Sequence, residues 1–205
     1  MNFFNPENSL WRFLGKLADL FILSGCWLLC SLPLVTIGSA SIALYDAVAH
    51  GLRRDEGDAY RRFFRTFRAE RKRGIGLTLL WTAIGLILSF GYQILYQLGG
   101  THPGFATVTV VYYFLLAIPV AMVCWMIAVE SRYVYTVPAL LRTTAILTFG
   151  KLPTSLAVTA LLLVGFELCV QIPFLLMILP ATVSYFQSWF VERIFTQLTP
   201  SETNE

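Results

Sequence analysis

The chain has 205 residues, of which 57% are hydrophobic and only 13% charged, with a formal net charge of +3 and a mean hydropathy of +0.67. Soluble domains carry about 25% charged residues and need polar surface to cover their cores. The balance here excludes a water-soluble globular protein, a disordered chain and a disulfide-built secreted module, and leaves an integral membrane protein.

Asn5, Pro6, Glu7 and Asn8 make a polar start without a basic cluster, and no small-residue cleavage site follows, so insertion is expected to use an uncleaved first helix. Leu10, Phe13, Leu14 and Leu17 repeat at helical spacing and lead into the first apolar run, 17–32, so its helix begins near Ser9, with Arg12 and Lys16 as interfacial anchors. Pro33 interrupts. A weaker stretch rich in small residues follows over 36–52. As one helix, 17–49 would be roughly 50 Å long at about 1.5 Å per residue, too long for a hydrocarbon core of about 30 Å. The reading is helix, break at 32–35, helix, taken as two short spans.

Residues 53–73 form a basic segment. Spans are expected at 74–98, at 105–129 with Pro119 as an internal kink, at 154–172, and at 173–195 with a kink near Pro180. Gly99, Gly100, Pro103 and Gly104 pack turn signals between the first two of these. A short amphipathic helix fits 138–149, and a polar tail, 196–205, ends the chain. The predicted fold is an all-α polytopic bundle, one membrane domain over 1–205, with five to six membrane-embedded helices.

Charge fixes the expected orientation. Residues 53–73 hold nine of the fifteen Lys and Arg: Arg53, Arg54, Arg61, Arg62, Arg65, Arg68, Arg71, Lys72 and Arg73. The 99–104 loop has none. Arg132, Arg142 and Lys151 lie in 130–153, and Arg193 near the C-terminus. The positive-inside rule puts 53–73, 130–153 and the C-terminus in the cytoplasm. Six spans keep Arg12 and Lys16 inside as well; five would place them outside.

The basic segment carries the strongest local signal. Tyr60, Phe63, Phe64 and Phe67 repeat at i, i+3, i+4, i+7, one helical face, and Arg61, Arg62, Arg65 and Arg68 fill much of the rest. That pattern describes a helix in the headgroup plane of the plasma membrane, serving as an anchor or as a site for an acidic partner or lipid. Nucleic acid is not expected, because no recognition fold surrounds the segment. A second candidate is an intramembrane polar site. Glu167 has apolar neighbours on both sides, Gln171 lies one turn on, Gln93 sits toward the same outer end, and Asp46 lies in the short second helix. An ionisable group inside a span costs about 2.5–3.5 kcal/mol on insertion scales, which makes each a functional candidate. The Pro33–Gly38 break resembles the interrupted helices of transporters.

Nothing points to catalysis. Cys26, Cys30, Cys124 and Cys169 all fall in apolar runs and read as packing residues, and only His50 and His102 are present, so no metal or cofactor is expected. Nucleophile elbow, P-loop and zinc-protease motifs are absent.

Certain blocks occur in a telling order: Leu10-Trp11-Arg12-Phe13-Leu14, Asp19-Leu20, Trp27 through Gly38 with its Leu32-Pro33-Leu34-Val35-Thr36-Ile37-Gly38 core, Ala43-Leu44-Tyr45 and Phe63-Phe64-Arg65-Thr66-Phe67-Arg68. Together with Leu141 to Leu147 and Lys151-Leu152-Pro153, they resemble the YesL-type bacterial membrane proteins, a DUF624-like family of unknown function. Two positions depart from the pattern, Ser24 or Gly25 and Glu70, where an Asn would be expected. The resemblance implies a non-enzymatic accessory or scaffolding role in carbohydrate uptake or its regulation, with a carbohydrate ABC transporter as the implied partner. The alternative is a small-solute permease or channel working around Glu167.

Overall fold

A computed structural model describes residues 9–53, 58–99, 103–133 and 135–198. Helix α1 runs Ser9–Ser31. After a 3₁₀ turn at Leu34–Thr36 comes α2, Ile37–Asp46, which continues without a break into a π-helical segment, Ala47–Leu52. Then follow α3 (Ala59–Ala69), α4 (Arg71–Gly99), α5 (Pro103–Glu130), α6 (Val137–Gly150), α7 (Leu152–Gln171), a 3₁₀ turn at Pro173–Met177, and α8 (Leu179–Leu198). Every described element is helical, as composition and periodicity predict.

The exterior is apolar, unlike a soluble protein's, and polar groups are set into the hydrophobic interior. Leu29, Ile87, Phe90, Phe166 and Val170 stand exposed, while Ser24, Ser39, Asp46, Glu130, Thr144, Gln187 and Glu192 are buried. Lipid supplies no hydrophobic reason to hide apolar side chains, whereas polar groups must find partners inside. Three helices contain stretches long and apolar enough to cross a bilayer, Leu14–Ser31, Arg71–Gln97 and Leu152–Gln171.

The break after α1 falls where Pro33 predicts it. Thr36 closes it: its hydroxyl hydrogen is shared between the carbonyl oxygen of Cys30 (2.5 Å), one of those the ended helix leaves bare, and that of Pro33 (2.6 Å). The second helix is not a lipid-facing span. At 10 residues, α2 is roughly 15 Å long, about half a hydrocarbon core, and every residue from Ile42 to Leu52 is buried. It is the centre of the bundle. Small side chains make this possible. A Cβ on Gly38 would stand 2.7 Å from the Gly74 carbonyl oxygen, and a Cβ on Gly74 would stand 2.5 Å from that of Ser39, so α2 and α4 meet backbone to backbone. The Gly38 amide donates to Thr78 Oγ1 at 2.9 Å across the same contact.

Around α2 the helices are cross-tied by polar side chains. Trp125 Nε1 of α5 donates to Ser155 Oγ of α7 (2.9 Å), and Ser155 Oγ donates to the Thr148 carbonyl of α6 (2.9 Å). The Ala181 amide of α8 donates to Ser24 Oγ of α1 (3.1 Å), and Gln187 Nε2 donates to the Cys124 carbonyl (2.9 Å). The break expected near Pro180 falls at Ile178, between the 3₁₀ turn and α8. The 3₁₀ turn supplies the bend, and Pro180 sits in the first turn of α8, where a missing amide hydrogen costs nothing. Pro119 lies within α5, as expected.

Candidate functional site

The charged residues of the interior gather at one end of the bundle, where α4 begins and where α5 and α8 finish. Three buried carboxylates lie there, each against an arginine.

Asp46, the last residue of α2, is 4% exposed. Its Oδ2 accepts from Thr66 Oγ1 at 2.6 Å and from Arg62 Nε at 3.0 Å, both on α3. Its Oδ1 lies 3.0 Å from His50 Nδ1, one turn on in the π-helical segment. A carboxylate with donors on both oxygens is the arrangement that makes a buried charge tolerable. The π-helical turn explains part of this geometry: its wider winding follows directly on Asp46, and such turns recur at functional sites.

Glu130, the last residue of α5, has a fully buried side chain 2.8 Å from Arg73 Nη1 in the first turn of α4, and Glu70 Oε2 lies 3.9 Å from the same nitrogen. Arg132, just past α5, pairs with Glu192 of α8, and its guanidinium lies 4.8 Å from the centre of the Phe195 ring. Arg53 donates to the Ser188 carbonyl at 2.6 Å. Each pair joins different elements, so this end is latched by charge.

Helix α3 is where the predicted basic segment falls, and its residues divide. Phe63 is fully buried in a cluster with Leu23, Ala43, Val48 and Ala181, and Phe67 packs against that cluster; the two rings stack at 6.2 Å. Arg62 turns inward to Asp46. Arg62, Phe63 and Phe67 thus attach α3 to the bundle rather than forming part of its outer surface. Arg61, Arg65, Arg68 and Phe64 face outward, as does Tyr60. The aromatic stripe does not lie wholly on a headgroup plane, because the pocket beneath α3 takes two of its four rings. Arg71 and Lys72 continue the exposed basic surface into α4.

The four residues proposed for an intramembrane polar site do not converge. Asp46 belongs to the latch at the charged end. Glu167 and Gln171 are exposed and hydrogen-bond to each other, Gln171 Nε2 donating to Glu167 Oε1 at 3.0 Å. Gln93 is exposed on α4, and among the described residues the α4 and α7 backbones do not pack directly together. Asp19 is exposed on α1, and His102 lies outside the described residues. Sequence reasoning missed Glu192, Thr66 and Gln187. The signal for Glu192 was present: an acidic residue between Val191 and Ile194 late in the last helix, with Arg132 as the available counter-charge. Among the described residues, no group of His, Cys, Asp and Glu is arranged to hold a metal.

Residues 20–92 match the model of a family described as Protein of unknown function, DUF624, which is the YesL-type family that the sequence resembles. The matched segment runs from α1 into α4 and contains every member of the Asp46 latch as well as all of α3. No curated protein and no solved structure matches the chain.

Proposed function

We propose that this chain, whose residues 20–92 match the YesL-type family model, is a non-enzymatic membrane accessory protein of carbohydrate uptake or its regulation. The outward face of α3 is the surface that engages an acidic partner.

The observation that carries this reading is the division of labour on α3. One side is fixed by Phe63, Phe67 and the Asp46–Arg62–Thr66 contacts. The other side presents Arg61, Arg65 and Arg68 to the surroundings. A basic face whose backbone is already ordered loses less entropy on binding than a flexible tail, and its exposed charges steer an acidic partner into register. The interior adds support: Asp46, Glu130 and Glu192 are each matched by arginine, which suits a scaffold better than a conduit that needs exchangeable polar groups. In this reading α3 and the C-terminus lie on the cytoplasmic side of the plasma membrane, which the concentration of Lys and Arg in residues 53–73 supports. The link to carbohydrate uptake, with an ABC transporter as partner, comes from the family resemblance.

The test is cross-linking and affinity purification from the native membrane with the triple variant Arg61→Gln, Arg65→Gln, Arg68→Gln. These side chains are exposed, so the variant should keep the wild-type melting temperature. Recovery of a carbohydrate ABC transporter with the wild type and its loss with the variant is the expected result. Equal recovery with both proteins would reject α3 as the binding face.

A further inference from the structure

A cavity of about 540 Å³ lies between the α7–α8 hairpin on one side and α1, α2 and Ile127 of α5 on the other. Leu162, Phe166 and Val170 line it from α7, and Pro180, Ser184 and Gln187 from α8. Each set repeats at three- or four-residue spacing, so the cavity follows one face of each helix. Ile37, Ser41 and Leu44 do the same from α2. A Cβ on Gly165 would stand 2.8 Å from Val183 Cγ2 and 2.9 Å from Leu179 Cδ2, so α7 and α8 close against each other and form a single wall. From Leu162 to Val170 that wall is roughly 12 Å long at about 1.5 Å per residue. Phe166 and Val170 are exposed on α7, so the cavity communicates with the lipid-facing surface.

The lining is mostly apolar, and among the described residues it contains no Asp, Glu, Lys or Arg. Two polar groups on facing walls keep hydrogen-bonding capacity in reserve. Trp27 Nε1 donates to Ser41 Oγ at 3.2 Å, so the Ser41 oxygen is an acceptor there, and its own hydrogen meets no acceptor among the described residues. Gln187 is 4% exposed, and its Nε2 donates to the Cys124 carbonyl at 2.9 Å. A carbonyl can only accept, which fixes the amide nitrogen on that side. Gln187 Oε1 is left with no donor among the described residues. A buried polar atom in an apolar wall is costly unless something pairs with it.

We infer that this cavity binds an uncharged, single-chain lipid with a hydroxylated head: the head accepts from the Ser41 hydroxyl and donates to Gln187 Oε1, and the hydrocarbon chain fills the apolar remainder. Hydroxyl groups both donate and accept, which answers the two unmet positions together. A plain hydrocarbon would answer neither, and an ether or ketone would leave Gln187 Oε1 bare. A carboxylate or phosphate head would bring a charge to a wall that holds no counter-charge. The volume falls within the range of small-molecule sites, about 300–1,000 Å³. The site lies apart from the outward face of α3 and does not depend on a partner docking there.

The experiment is photo-crosslinking of the full-length protein in liposomes with a monoacylglycerol that carries a diazirine in its chain, read by peptide mass spectrometry. Label should appear within 162–170 or 176–187, and unlabelled monoolein should displace it while oleate and octadecene do not. Ser41→Ala and Gln187→Met should each weaken monoolein about two- to tenfold as a competitor, the usual range for one hydrogen bond. Neither should alter labelling by a probe of the same chain ending in a methyl group. Cys169→Leu adds bulk to the lining and should lower labelling by both probes; Leu168→Phe, exposed and outside the lining, should lower neither. Displacement by octadecene as strong as by monoolein would reduce the cavity to generic chain filling and overturn the assignment. Equal displacement by oleate would overturn it too, as would unchanged competition in Ser41→Ala. Gln187 also ties α8 to α5, so melting temperatures are measured alongside; if Gln187→Met fails to fold, Ser41→Ala, which adds no bulk, decides.

Discussion

Asp46→Ala is the sharpest probe of the latch between α2 and α3. The substitution removes the acceptor of Thr66 Oγ1, Arg62 Nε and the His50 ring together. Breaking a buried pair by deleting one partner costs about 3–5 kcal/mol, because the other charge is stranded. Arg62 keeps 24% of its side chain exposed and can turn its guanidinium outward, so the lower limit, about 3 kcal/mol, applies. For a domain of this size, each kcal/mol moves the melting temperature by about 2–4 °C, giving a fall of roughly 6–12 °C in detergent. Asp46→Asn keeps the shape and one acceptor but weakens a charge-assisted contact, and should cost about 1 kcal/mol. Fluorescence-detected thermal unfolding measures both. A double-mutant cycle with Arg62→Gln then isolates the pair, and a coupling of about 0.5–3 kcal/mol is expected for residues in direct contact. Trypsin should also cut α3 at Arg61 or Arg65 faster in Asp46→Ala. Strict additivity in the cycle, with unchanged cleavage of α3, would refute the claim that Asp46 holds that helix.

Two further substitutions test packing and charge elsewhere. Gly74→Ala should destabilise by about 1–3 kcal/mol, because its methyl would overlap Ser39, whereas Gly76→Ala, two residues on in open space, should be neutral or stabilise by up to about 1 kcal/mol; a matched pair of melting curves decides it. Glu192→Ala strands Arg132 at the α5–α8 contact and should cost about 3–5 kcal/mol, read as a lower melting temperature. Restoration by the further change Arg132→Met would show that the lost pairing was responsible.

Much of the architecture is legible in the chain. Helices appear where apolar runs appear, Pro33 breaks the first from the second, and the 3, 4, 7 spacing of Tyr60, Phe63, Phe64 and Phe67 marks a helix at Ala59–Ala69. Which of those rings goes inside is not legible. That choice depends on Asp46 and the small residues of α2, which meet α3 only in three dimensions. Glu167 shows the same boundary from the other side. Its apolar neighbours suggest a buried group, yet α7 packs through the faces bearing Ser155, Val158, Thr159 and Gly165, and Glu167 falls opposite. A uniformly apolar helix carries no amphipathic signal to say which face turns inward. Helix α2 was legible as short and rich in small residues, but its central position follows from Gly38 and Gly74 fitting each other, a match that neither position announces alone.

The Arg73–Glu130 contact has a consequence for how the protein is made. Between those two residues the sequence contains no Asp, Glu, Lys or Arg. The whole α4–α5 excursion is thus charge-free: its ion pair joins the point where it leaves the charged end to the point where it re-enters, and along its length neutral bonds such as Tyr112 to the Leu88 carbonyl tie the two helices. During synthesis the guanidinium emerges first and has only Glu70 beside it until all of α5 has followed. The two helices therefore constitute one biosynthetic unit, a loop of chain that reaches its resting state when its second foot lands beside its first.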